Sequence, residues 1–119
     1  MAELKEENLA REIARIAEDK KAQEVVILEV SELTTVTDYF VIMSGQNEVQ
    51  VKAIAREIED ELSEQGLEPY RRAGRDHGRW ILLDYRDTVV HVFHRQERSF
   101  YDLERLWADA EEILQKESR

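Results

Sequence analysis

With 119 residues, 42% of them hydrophobic and 37% charged, the chain has the size for one hydrophobic core and too much apolar content to stay disordered. It holds no cysteine, which excludes disulfides, thiolate metal sites and cysteine nucleophiles. A net charge of −10 repels phosphate backbones, so binding nucleic acid would require a strong local basic patch.

The N-terminal stretch MAELKEENLAREIARIAEDKK is charged and periodic, with neither an apolar signal core nor the roughly 20 apolar residues a bilayer span requires. The expectation is a cytoplasmic protein without membrane contact. Leu9, Ile13, Ile16 and Ala17 recur at helical spacing and predict an amphipathic helix over residues 5–20. EVVILEV, residues 24–30, is β-branched and short, so it predicts a buried strand, followed by a Ser/Thr-rich loop. DYFVIMS, residues 38–44, predicts a second strand ending at Gly45. Asn47 with Gln50 resembles a capping box, and Val51, Ile54, Ala55, Ile58 and Leu62 form the apolar face of a helix that stops at Gly66.

Pro69 confines any strand over residues 67–72 to a sheet edge, and GRDHG at 74–78 reads as a loop. WILLDY (80–85) and TVVHVF (88–93), separated only by Arg86 and Asp87, predict a hairpin. Ser99 with Asp102 is a second capping signature, predicting a helix through Phe100, Leu103, Leu106, Trp107 and Ala110. The charged tail, residues 111–119, is expected to fray. The whole reads as a single domain over 1–119 with its core at about 5–110, an α/β fold with a mixed β-sheet and helices packed on it.

Charge is unevenly placed: residues 25–66 carry nine acids against Lys52 and Arg56, whereas residues 67–98 carry seven arginines against Glu68, Asp76, Asp84, Asp87 and Glu97. The pattern fits either a solvated charged surface or a polarised one suited to a charged protein partner. His91 and His94 lie three apart on a strand and point to opposite faces, so they cannot share a metal ion. Ser44-Gly45 between a strand and a helix resembles the phosphate-presenting turn of nucleotidyltransferases. Asp38, Asp84 and Asp87 lack the spacing of a metal-holding pair, so neither an enzyme nor a cofactor is expected.

A two-residue hairpin loop places Trp80 opposite Phe93, Leu82 opposite His91 and Asp84 opposite Val89. The face carrying Asp84 and His91 is the better candidate for exposure, because a buried unpaired carboxylate is costly. It would then display Trp80, Leu82 and Phe93 as an interface. The alternative is a helix covering that face, with Asp84 hydrogen-bonded beneath it.

Asp19-Lys20-Lys21-Ala22, Asp38-Tyr39-Phe40-Val41-Ile42 with Ser44-Gly45, and Gln50-Val51-Lys52-Ala53-Ile54-Ala55 resemble the ribosomal silencing factor family, also called Iojap-like. Residues 80–85, 89–93 and 100–107 look like that family's C-terminal signature. The resemblance implies a nucleotidyltransferase-like scaffold without a catalytic metal site, and a repressor of translation when nutrients are scarce. It implies binding to ribosomal protein L fourteen on the large ribosomal subunit, which keeps the small subunit from joining. Family-like partner-binding positions are Trp80, Leu82, Asp84, Tyr85 and His91. Many relatives carry Gly where this chain has Arg86, and a non-glycine residue at positive φ there would be strained, which would lengthen the loop and shift the register. The arginines of the 71–79 segment suggest a minor ribosomal RNA contact or a solvated loop. An exposed apolar hairpin face suggests a homodimer when the protein is free. A nucleotide-binding protein using Ser44-Gly45 is the alternative function.

Overall fold

The computed structural model describes residues 6–115. In chain order the elements are α1 (Glu6–Asp19), β1 (Gln23–Glu29), β2 (Tyr39–Gly45), α2 (Glu48–Glu64), β3 (Arg71–Ala73), β4 (Trp80–Asp84), β5 (Thr88–His94), α3 (Arg95–Tyr101), α4 (Leu103–Leu106) and β6 (Glu111–Gln115). The strands make one six-stranded sheet in the order β3-β4-β5-β2-β1-β6. β2 and β5 are parallel and every other pair is antiparallel, so the sheet is mixed, with helices packed on it as expected.

Strand β2 is buried along its whole length because it lies near the middle of the sheet and feeds two cores. Tyr39, Val41 and Met43 point to one face, where they meet Ile13, Ile16 and Ala17 of α1 and Val51, Ile54, Ile58 and Leu62 of α2. Phe40 and Ile42 point to the other, with Val26, Leu28, Val89 and Phe93, and are covered by Leu103, Trp107 and Ala110. The alternation of side chains along a strand thus divides one apolar run between two layers.

Helix α2 starts where its capping box predicts. Asn47 Oδ1 accepts the Gln50 N–H at 2.8 Å, and Gln50 Oε1 accepts the Gln46 N–H at 2.7 Å, so side chains satisfy amides that the helix leaves unpaired. Gly66, at φ 86°, ends the segment in the left-handed region. Glu59 is buried on the inner side of α2, where the Arg72 guanidinium binds it at 2.6 Å.

Two C-terminal expectations are corrected. A single helix through Ala110 does not form: α3 begins at Arg95, with His94 Nδ1 accepting the Gln96 N–H at 3.2 Å, and Asp102 at φ 51° breaks the chain before α4. The Ser99/Asp102 pair is therefore no capping box, since Ser99 lies inside α3 and Asp102 follows its last residue without a side-chain cap bond. Residues 111–115 of the tail do not fray; they form β6 antiparallel to β1, with Ile113 and Leu114 packed against the first core. Covering the β1 edge satisfies backbone groups that would otherwise stay open. The expected helix start at Lys5 and the tail residues 116–119 lie outside the described residues.

Candidate functional site

The hairpin forms in the expected register: Trp80 pairs with Phe93, Leu82 with His91 and Asp84 with Val89. Its loop is Arg86-Asp87, closed by the Tyr85 N–H on the Thr88 carbonyl at 2.8 Å. The Asp87 N–H donates to the Tyr85 carbonyl at 3.0 Å and Arg86 sits at φ 76°, the signature of a tight γ-turn in its rarer, strained sense. The loop stays at two residues because two contacts hold the strained one. Asp84 Oδ1 accepts the Arg86 N–H at 2.8 Å, and the Arg86 guanidinium lies 3.9 Å from the centre of the Tyr70 ring.

The five candidate partner-binding residues divide into three groups. Trp80 and Leu82 are partly open on the second face of the sheet. Asp84 and His91 share that face but are buried, at 9% and 6% exposure. Asp84 is turned inward as a fastener: besides capping Arg86 it accepts from Arg71 Nη2 at 3.3 Å. Tyr85 points to the opposite face, inside the first core, where burial and the nearby Glu59 and Glu68 charges push its phenol pKa up.

Exposure of the whole face is thus corrected to partial cover. Tyr101 of α3 lies against Trp80 with ring centroids 4.7 Å apart, and Trp107 meets Phe40 edge-on at 5.2 Å. Phe93 is fully buried. Trp80 Nε1 donates to His91 Nδ1 at 3.0 Å, which leaves the neutral imidazole's proton on Nε2. Burial lowers the His91 pKa to about 4, and Nε2 has no hydrogen-bond partner in the described structure. His91 is therefore a neutral prop that orients the Trp80 indole.

The arginine-rich segment is neutralised internally. Arg71 binds Asp84, Arg72 and Arg75 bind Glu59, and Arg79 bridges Glu48 at 2.8 Å and Glu97 at 2.7 Å. Each guanidinium that would meet a phosphate is already engaged by a carboxylate of this chain.

Beside Ser44, a cleft of 620 Å³ opens between the start of β1, the end of β2 and α3, lined by Gln23, Ser44, Arg95 and Arg98 among others. Arg98 is buried and closes this region from within: Nη1 donates to Ser44 Oγ at 3.0 Å and to the Gln23 carbonyl at 3.3 Å, and Nη2 to Glu104 at 2.6 Å. The amides of Gln46 and Gln50 are occupied by side chains, and Glu48 places a negative charge in the first turn of α2. A phosphate would have to displace these groups. No group of three or more His, Asp or Glu side chains that could hold a metal ion occurs among the described residues, and none of their helices is long and apolar enough to cross a membrane.

Sequence reasoning missed Arg98, a charged residue in a polar run whose burial depends on two distant partners, Gln23 and Ser44, and on the nearby Glu104. It also missed the outward turn of Phe100 and Leu106, which are 79% and 74% exposed. Both follow from the left-handed break at Asp102, for which the sequence carries no glycine signal.

The description "Ribosomal silencing factor during starvation" (RsfS) matches residues 3–119. The chain is 42% identical to ribosomal silencing factor RsfS of Bacillus subtilis over 107 residues, covering 90% of this chain and 91% of that one. It is 47% identical to RsfS of Halalkalibacterium halodurans over 93 residues, covering 78% and 80%. It is also similar to the chloroplastic protein Iojap of Zea mays, 31% identical over 89% of this chain and 46% of that one. A crystal structure of a Chromobacterium violaceum protein superimposes with a TM-score of 0.84 at 31% identity, covering 90% of this chain and 88% of that one. One from Bacillus halodurans does so with a TM-score of 0.74 at 44% identity, covering 82% and 91%. With a family model matched over residues 3–119 and relatives of 42% and 47% identity over most of its length, the chain belongs to the ribosomal silencing factor family.

Proposed function

We propose that this chain represses translation by binding the large ribosomal subunit through ribosomal protein L fourteen and thereby blocking the small subunit from joining. Family membership supports a ribosome-associated silencing role. The observation that carries the site is the Trp80 indole, half open on the second face and held by His91 and Tyr101. A preoriented aromatic at the margin of a covered face loses little freedom on binding. Trp80 and Leu82 make the contact, while Asp84, Tyr85 and His91 support it by fixing the turn, the first core and the indole. The protein acts in the cytoplasm by occupying a surface, not by catalysis, and the same open margin pairs two copies when no ribosome is present.

The nucleotide-binding alternative is disfavoured by the Arg98 and Gln50 hydrogen bonds that fill the Ser44-Gly45 turn. A ribosomal RNA contact by residues 71–79 is disfavoured by their carboxylate partners.

Sedimentation of the purified protein with isolated subunits tests the reading. It should co-sediment with large subunits only, and adding it before the subunits are mixed should lower the joined fraction with dose. Adding it to already joined ribosomes should do much less, because a large preformed joint releases slowly. Equal joining with and without a saturating excess of protein would remove the mechanism. Saturable magnesium-dependent ATP or CTP binding would restore the alternative.

A further inference from the structure

Residues 103–110 cross the second face as a strap between two anchors. On one side α3 is tied down: the buried Arg98 donates to Ser44 Oγ and to the Gln23 carbonyl, and Arg79 binds Glu97 at 2.7 Å. On the other side β6 pairs with β1, and Arg11 Nη2 donates to the Ile113 carbonyl at 3.3 Å. The strap between them is lightly held. None of residues 101–110 is buried, and Leu106 points into solvent. Its backbone amides bond only to carbonyls close by in the chain: Arg105 and Leu106 to Asp102, Trp107 to Leu103, Ala108 to Arg105 and Ala110 to Trp107. Among the described residues, one polar side-chain contact joins the strap to the body of the protein, Arg98 Nη2 donating to Glu104 at 2.6 Å. Half-buried Leu103, Trp107 and Ala110 supply the rest of the attachment. Sparse apolar burial and self-contained hydrogen bonds mark a segment that can open while the rest stays folded.

The floor beneath the strap is apolar and, at one point, unsatisfied. Trp107 meets Phe40 edge-on, and Leu28 lies opposite Phe40 in the β1–β2 ladder. The Phe40 ring is 5.1 Å from that of His91, whose Nε2 N–H has no acceptor. A buried donor without a partner raises the free energy of the closed form, and water supplies an acceptor once the strap lifts. A hinge is also in place. Asp102 sits at φ 51° with no side-chain cap bond, so rotation there relieves strain and breaks no continuous helix.

We propose that residues 103–110 are a gate: they lift from the second face about Asp102 while α3, β6 and the first core stay folded, and the Arg98–Glu104 ion pair sets how often. Opening uncovers Phe40 and Leu28 beside His91, apolar surface that the closed chain hides. The gate belongs to the free chain and stands apart from the large-subunit reading.

Because the chain holds no cysteine, a single introduced thiol reports the opening. Leu28→Cys places it under the gate, and Ile27→Cys, at the neighbouring position of the same strand, places it in the first core. Each variant is labelled with an excess of a water-soluble aromatic disulfide at several urea concentrations below the unfolding transition, with melting curves alongside. Without urea the Leu28→Cys thiol should react at least about tenfold faster than the Ile27→Cys thiol, at a rate that low urea hardly changes, because local opening exposes little surface. Adding Glu104→Gln should speed the first reaction by about fivefold more and leave the second unchanged, since it weakens the tie across the gate and not the Arg98 bonds to Ser44 and Gln23. Trp107→Ala should act in the same sense without touching the ion pair. Equal rates at the two positions, fast or slow, would overturn the gate, as would second substitutions that accelerate both positions alike or neither. Should either cysteine variant melt far below the parent, hydrogen exchange on the unmodified chain decides. Trp107 and Ala110 amides that exchange at a rate independent of low urea support the gate, and amides as protected as those of Ile54 and Ile58 in α2 overturn it.

Discussion

The two faces of the sheet are built from alternate residues of the same strands yet reach different degrees of closure. One face meets α1 and the 17-residue α2, whose apolar stripes cover it from β1 to β4. The other is covered by a seven-residue helix, a four-residue helix and the turn to Ala110, and leaves Trp80 and Leu82 partly open. Long amphipathic helices seal a surface because each turn adds a buried side chain. Short ones joined by a left-handed break cover it only where Tyr101, Leu103 and Trp107 reach. The first face therefore stabilises the protein, and the second stabilises it while leaving open the surface to which the proposed partner contact is assigned.

The contrast breaks most visibly with charge on the sealed face. Ile58→Asp places a carboxylate at a fully buried position of α2, and the loss of apolar contact plus an unpaired charge should cost about 4 kcal/mol or more. Denaturant melts should show the variant largely unfolded at neutral pH; a midpoint near the parent's would refute the helix register.

On the open face the largest effect concerns pH. His91 is buried neutral with its pKa lowered to about 4, whereas in the unfolded chain it takes the ordinary value near 6.5. Above pH 6.5 both states are neutral and His91 contributes no pH dependence. As pH falls from 6.5 to 4 the unfolded state gains a proton that the folded state does not, so stability drops, by up to about 3 kcal/mol, and levels off below pH 4. His91→Gln should flatten this part of the stability profile relative to the parent. Parallel profiles for the two proteins would show that His91 is not the buried neutral group assigned here.

A smaller effect separates support from contact. Trp80→Phe keeps an aromatic ring but removes the indole N–H, leaving His91 Nδ1 without its donor, and should cost about 1 kcal/mol of stability. It should also raise the His91 pKa as the loosened site admits water, measurable by NMR titration. An unchanged pKa together with unchanged stability would show that the Trp80–His91 hydrogen bond does not organise this face. The smallest difference lies at the hairpin loop: Arg86→Gly and Arg86→Ala both lose the stack on Tyr70, but only Ala keeps the strain at φ 76°. The glycine variant should be more stable than the alanine variant by about 1 kcal/mol. Equal stability would mean that the turn relaxes at no cost.

Much of this architecture was legible before the structure. The hairpin register follows from the two-residue spacing between WILLDY and TVVHVF and from the alternation of side chains, and α2 follows from its capping box and five-residue apolar face. These are local rules, enforced by backbone geometry within a few residues. The strain at Arg86 was legible too, but not that Asp84 and Tyr70 would hold it in place.

Tertiary structure alone decided the rest. Whether the Trp80 face is open or covered depends on where α3 and α4 land, and that depends on a left-handed Asp102 and on Arg98 reaching Ser44, 54 positions away in the chain, and the Gln23 carbonyl, 75 positions away. The same holds for residues 111–115, which look like a solvated tail until β1 offers an open edge. Amino-acid order determines which residues prefer helix, strand or turn because those preferences are short-range. Burial of an arginine, pairing of an edge strand and the outward turn of Phe100 are set by groups far apart in sequence, whose desolvation is offset only once the fold has brought them together.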